Sequence, residues 1–196
     1  MSDTLPKAYL VRHGEAAWTI SGQHTGHTDL ALTEKGERDA QELSVRLKGF
    51  NFAKVLTSPL QRARRTAELA GFGEYAQPDS DLTEWDYGAY EGRRTIDIRT
   101  ERPGWDLLKD GCPNGETAEA VGARADRIIG RIHALEGHVL IFAHHDILRI
   151  LAARWLNLHA VEARYFYLTT TSLSILGYDH DRDGPVVRLW NDARHL

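Results

Sequence analysis

A chain of 196 residues, 42% of them apolar and carrying a formal net charge of −4, has the size and balance of a globular protein with a sizeable core. That balance argues against a general nucleic-acid or anionic-membrane binder, although a basic pocket for a small anion stays open because local field and net charge are different quantities. One cysteine, Cys112, excludes an internal disulfide, and no apolar run approaches the roughly 20 residues that cross a bilayer.

Met1 to Lys7 lacks the apolar stretch of a secretory signal. With the lone cysteine, this makes a cytoplasmic setting the expectation, and a single domain over 1–196 follows from length and the absence of any linker. The run Ala8-Tyr9-Leu10-Val11 reads as a buried strand that delivers Arg12-His13-Gly14 at its carboxyl end, the edge where open α/β sheets bind ligands. Arginine offers a donor fork suited to phosphate, neutral histidine is a nucleophile near pH 7, and glycine permits close approach of an anion. Taken alone, the tripeptide fits a strand end with two solvated polar residues equally well.

Thr33 reads as the N-cap of a helix whose apolar side is Leu43, Val45 and Leu47 and which Gly49 ends. A second strand, Ala53 to Leu56, runs into Thr57-Ser58-Pro59-Leu60-Gln61-Arg62-Ala63 and a helix from Arg62 to Leu69. Leu82-Thr83-Glu84-Trp85-Asp86-Tyr87-Gly88 is an acidic turn, and the weakly patterned stretch Arg93 to Gly115 reads as a lid over the site. Val121, Ala125, Ile128, Ile129 and Ile132 give Glu116 to Leu135 the period of an amphipathic helix. Val139 to Ala143 is a third strand that ends on His144, followed by a buried helix from Ile147 to Ala153. Tyr165 to Tyr178 has the composition of antiparallel strands at an edge. Asp179-His180-Asp181-Arg182-Asp183-Gly184 opens like a calcium loop, but loop position 12 falls on Trp190, so a hairpin turn is the better reading. The alternation predicts an α/β fold: three layers, α/β/α, around a mostly parallel sheet with an antiparallel edge.

The polar residues that these elements carry fit phosphoryl transfer, which asks for positioning and for charge stabilisation on three equatorial oxygens. Arg12 and Arg62, His13 and His144, and Glu84 are the candidates. Neither a HExxH motif nor a glycine-rich loop ending in Lys-Ser or Lys-Thr occurs. A histidine nucleophile with an arginine clamp accounts for the residues better than a metal-activated water, and neither metal nor cofactor is expected.

Arg12-His13-Gly14, Thr57 to Ala63, Leu82 to Gly88 and the strand ending on His144 together resemble the histidine phosphatase superfamily, which includes cofactor-dependent phosphoglycerate mutases and bisphosphatases. The resemblance covers nearly the whole chain in the family's order. It implies that His13 becomes a phosphohistidine and that the Gly14 carbonyl fixes its tautomer. Arg12 and Arg62 would hold the phosphoryl oxygens, with His144 stabilising the transferring group from the opposite side. A buried strand-end histidine is ordinarily a core residue; the other three motifs tip His144 toward function.

Glu84 is implied as proton donor to the leaving alcohol and then base for water, its pKa raised by the neighbouring phosphate. Asp86 and Glu91 lie close enough in sequence to be confused with it. Glu15 reads as a first-turn helix residue or an orienting partner. The loop Trp18-Thr19 through Ser21-Gly22-Gln23-His24-Thr25-Gly26 matches the family's substrate segment, which puts Thr19, Gln23, Thr25 and Gly26 at the substrate; Trp18 fits core and pocket wall equally.

Two positions depart from the pattern. Thr19 stands where mutases usually carry asparagine, and His145, followed by Asp146, stands where the family commonly has glycine, with a backbone N–H still available for substrate. The remaining histidines, His27, His133, His138, His159, His180 and His195, read as local polar residues. The resemblance implies a phosphatase of small phosphomonoesters, nearest the sugar-bisphosphatase branch, whose partner is a small phosphorylated metabolite. A phosphoglycerate mutase-type transferase and an inactive phosphate-binding module are the alternatives. Oligomeric state is left open.

Overall fold

The computed structural model describes residues 5–195, so most of the Met1–Lys7 segment lies outside the described residues. Six strands form one sheet: β1 (Ala8–Arg12), β2 (Lys54–Thr57), β3 (Ala76–Pro78), β4 (Val139–Ala143), β5 (Leu173–Tyr178) and β6 (Pro185–Asp192). Their order is β3-β2-β4-β1-β5-β6. The first four run parallel, while β5 and β6 are antiparallel, as the mixed composition predicts.

The pleat sorts the sheet's side chains into two cores. Leu10, Leu56 and Ile141 face one side, where α6 (Ala118–His133) and α7 (His145–Trp155) pack with Val121, Ile128, Ile147 and Leu151. Tyr9, Val11, Val55, Leu140 and Phe142 face the other side, against Leu43 and Leu47 from α2 (Glu34–Arg46) and its end, and Ala67 from α3 (Gln61–Leu69). Helices on both faces are what a parallel sheet with near-continuous apolar strands requires. The Thr33 hydroxyl accepts from Gly36 N at 3.0 Å and Thr117 caps α6, so these helices start where their caps do.

Several local expectations need correction. Val45 lies on the solvent side of α2, 71% exposed, because it is out of phase with Ala40, Leu43 and Leu47. The edge is not Tyr165–Tyr178: Ala160–Tyr165 is a 3₁₀ turn, β5 lies inside the sheet, and β6 is the antiparallel edge. The weakly patterned stretch Arg93–Gly115, read as a lid, holds α4 (Thr95–Glu101) and α5 (Leu107–Asp110) and borders the cavity that His13 also lines; buried Trp105 pins it, its Nε1–H donating to Gly111 O at 2.9 Å. Residues 179–184 connect β5 to β6 as a hairpin, with Asp179 N donating to Gly184 O. A short helix, α1 (Ala17–Ser21), follows the first strand. No helix among the described residues is long and apolar enough to cross a membrane.

Candidate active site

Register builds the site. Arg12 pairs with Ala143 across β1 and β4, so the next residues, His13 and His144, emerge side by side; His13 N donates to Ala143 O at 2.9 Å. Their ring centroids are 5.1 Å apart. Thr57 pairs with Phe142 on the other flank, which sets Ser58 against the same strand end.

The His13 Nδ1–H donates to the Gly14 carbonyl at 2.6 Å. That bond leaves Nε2 unprotonated, and Nε2 makes no hydrogen bond among the described residues. Burial, then the charges of Arg62 and Arg12, hold the imidazole well below the usual histidine range, so it is neutral at pH 7. Gly14 itself does not border the cavity. A Cβ there would sit 2.5 Å from Gly36 O, so its missing side chain serves the approach of β1 to α2 rather than of an anion.

Arg62 lies fully buried beside His144 and does not border the cavity. Its guanidinium donates to the carbonyls of Thr25, Gly26 and Thr28 at 2.9 to 3.1 Å, and its Nε to His144 Nδ1 at 3.1 Å. His144 must therefore accept at Nδ1 and donate from Nε2, which it does to Ser58 Oγ at 2.7 Å. Both nitrogens of His144 are occupied within the protein, and burial followed by the Arg62 charge keeps it neutral. Of the two predicted phosphate-binding arginines, Arg12 is the one that borders the cavity. Its Nη1 holds Leu168 O at 2.6 Å, while its buried Nε has no partner.

Glu84 closes the opposite side. Its carboxylate hangs from the first turn of α7, accepting from Asp146 N and Ile147 N at 3.1 Å, and from Trp85 N at 3.0 Å. Burial, then the charge of Asp146, pushes its pKa up to about 7 against those three donors. No phosphate is needed for the shift, which corrects the cause read from sequence. The turn that carries Glu84 is clamped from α6 by Arg124, which donates to Asp81 O, Thr83 O and Glu84 O and pairs with Glu116 at 2.7 Å. Asp86 and Glu91 do not border the cavity. Glu91 binds Gly26 N and Thr28 N, holding the loop that Arg62 also grips.

The cavity, about 430 Å³, is lined by Arg12, His13, Glu84 and His145, with Trp18, Thr19, Gln23 and Thr25 along the predicted loop. Gly26 is behind that wall, where a Cβ would meet Trp85 O at 2.5 Å. Gln23 lines the cavity, but its amide is spent on Gly92 O and its carbonyl accepts from Ser21. Glu15 precedes α1 and binds the Thr33 hydroxyl at 2.8 Å, bracing the start of α2. Sequence reasoning misses Ser58, Tyr87, Asp146 and Arg149 as parts of the site. Tyr87 OH and Arg149 Nη1 both hold Asp146, at 2.6 and 2.9 Å, a network whose members lie up to 62 positions apart. The wall also carries Arg99, together with Arg164 and Arg149, which pair with Asp106 and Asp146 of the same lining. Among the described residues no group of three or more His, Cys, Asp or Glu side chains is arranged to hold a metal ion.

Residues 8–193 match the histidine phosphatase superfamily (branch 1). An acid phosphatase of Mycobacterium tuberculosis is 38% identical over 176 residues, 87% of this chain and 86% of that one. A sedoheptulose 1,7-bisphosphatase of Saccharomyces cerevisiae is 39% identical over 191 residues, covering 81% and 70%. The solved structure of an open reading frame from Mycobacterium tuberculosis superposes with a TM-score of 0.89 at 33% identity, over 95% of this chain and 97% of that one.

Proposed function

The chain belongs to the histidine phosphatase superfamily and is a phosphatase of small phosphomonoesters, and from that premise we propose how its residues divide the work. His13 Nε2 attacks phosphorus, the P–O bond to the alcohol breaks, and the Glu84 carboxyl gives its proton to the departing oxygen. Water then attacks the phosphohistidine, passes its proton to the Glu84 carboxylate and restores free His13. Arg12 holds the phosphoryl oxygens directly, with the buried Arg62 adding positive charge nearby. His144 braces Arg62 and the strand end from within the protein. The observation that carries this reading is the tautomer: Nδ1 is committed to Gly14 O, so the lone pair of His13 belongs to Nε2, in a cavity shared with Arg12 and Glu84.

The substrate class we propose is phosphorylated sugars and related polyols, supported by the polar wall of Thr19, Gln23 and Thr25 and by the bisphosphatase among the relatives. Wild-type protein mixed with labelled p-nitrophenyl phosphate should yield an acid-labile, base-stable adduct. His13→Ala should yield none and no turnover. Labelling of the alanine variant to the wild-type level would remove His13 from this role.

A further inference from the structure

His145 occupies the cavity wall at the first position of α7, where a glycine would leave open space. Its Nδ1 lies 3.1 Å from Asp146 Oδ1. Asp146 is buried and is itself held three ways: by His145, by Arg149 Nη1 at 2.9 Å on the same oxygen, and by Tyr87 OH at 2.6 Å on the other. Burial works against the Asp146 charge, but His145, Arg149 and the tyrosine hydroxyl outweigh it and keep the carboxylate ionised well below its ordinary range. An ionised carboxylate only accepts, so His145 donates to it from Nδ1. Arg149 Nη1 also approaches that nitrogen, at 3.4 Å, but has the carboxylate as its nearer acceptor.

With Nδ1 donating, Nε2 of neutral His145 carries a lone pair and makes no hydrogen bond among the described residues. Burial holds the imidazole below the usual histidine range, against Asp146, which keeps it neutral at pH 7. The side chain is 31% exposed, and its surroundings open into the cavity. A lone pair there recognises a hydrogen-bond donor. Phosphoryl oxygens of a dianion offer no proton, so the donor belongs to the alcohol part of the ester. The nearby Asp146 charge is already met by Arg149 and by the His145 Nδ1–H, and Arg12 lines the same cavity, which leaves a hydroxyl as the donor suited to Nε2.

Resting on the phosphatase reading, we propose that His145 is a specificity-determining acceptor for a second hydroxyl of the leaving alcohol, with Asp146 as its positioning residue, so that the pocket selects polyol phosphates over simple alkyl phosphates. Buried polar groups left unpaired by the wrong substrate are what give such sites their discrimination. Because His145 remains partly open to water, the selection should be about tenfold to a hundredfold, near the value of one or two hydrogen bonds rather than of a sealed site.

The test compares glycerol 3-phosphate with n-propyl phosphate, which share a three-carbon skeleton, in wild type, His145→Gly and His145→Gln. The readout is the ratio of the two kcat/KM values within each protein, so that differences in intrinsic leaving-group reactivity cancel between proteins. Wild type should favour the glycerol ester about tenfold or more beyond the glycine variant, whose ratio should fall toward that of the uncatalysed esters. Glutamine, whose amide oxygen reaches near the place of Nε2, should recover part of the ratio. An unchanged ratio in His145→Gly, or a preference for O-phosphoethanolamine over both esters in wild type, would overturn the assignment while leaving the phosphatase reading intact. If wild type releases phosphate from none of these, nor from p-nitrophenyl phosphate, the phosphatase reading fails and this one with it.

Discussion

Glu84 sits where one proton decides the reaction, because an alkoxide is a poor leaving group and nitrophenolate is a good one. Glu84→Gln keeps the shape and removes the proton. Single-turnover phosphorylation of His13 by a sugar phosphate should slow about 100- to 10,000-fold, the span of general acid catalysis, and by p-nitrophenyl phosphate far less. Equal slowing with both would make Glu84 a positional residue. The same substitution carries a stability signature. Folding raises the carboxyl from its ordinary 4.5 to about 7, so the native state favours the protonated form. Its contribution is whole below pH 4.5 and is lost as the pH climbs through 7. The melting temperature of Glu84→Gln minus that of wild type should therefore rise between pH 4.5 and 8. The neutral histidines His13 and His144 act in the opposite direction, but they are common to both proteins and cancel in the difference. A flat difference would mean that Glu84 titrates normally. The residue types of this site were legible because Arg-His-Gly and the acidic turn are local strings. Asp146 was not: Arg149 is its neighbour one helical turn along α7, but Tyr87 and Glu84 meet that turn only through the fold.

Between elements, the contact that fixes His13 most directly is the approach of β1 to α2. Gly14 and Gly36 face each other there, and Gly36 in turn lies against the Glu15 backbone, where a Cβ would come within 2.3 Å of Glu15 O. Gly14→Ala should cost about 1–3 kcal/mol by overpacking against backbone that cannot swing aside. For a chain of this length each kcal/mol lowers the melting temperature by about 2–4 °C. The displaced Gly14 carbonyl should also release the His13 tautomer and lower kcat. Wild-type stability and kcat in this variant would show that the two segments have room to part. Helix α2 was legible because cap and period agree, α6 from its apolar period, and α7, which has no side-chain cap, from its near-continuous apolar run. Strand β3 was not: three residues, Ala76-Gln77-Pro78, carry no apolar run, and their pairing with β2 is dictated by the strand beside them. The α4–α5 segment was missed as structure because both helices are short and gain their order from Trp105 and Ile98 buried beneath them.

At the scale of the molecule, the fold class could be read from strand–helix alternation, whereas the strand order could not. Nothing local says that β4 inserts between β1 and β2, yet this insertion brings His13, Ser58 and His144 to one edge. The assembled pocket carries Arg12 and Arg99 in its wall, neither in an ion pair among the described residues, with Arg62 buried nearby, and so supplies from side chains the positive charge that metal-dependent phosphatases draw from an ion. Phosphate release should accordingly be unchanged by EDTA; a loss restored by magnesium or zinc would count against the mechanism. The hanging of Glu84 from the first turn of α7 has one more consequence. Two peptide groups, at Asp146 and Ile147, touch the carboxylate and must feel its proton arrive and leave. Their amide resonances are thus a gauge built into the backbone. In proton–nitrogen correlation spectra both should shift together with a midpoint near pH 7, and in Glu84→Gln that shared titration should vanish, so the charge of the acid can be followed in the resting protein, with no substrate turned over at all.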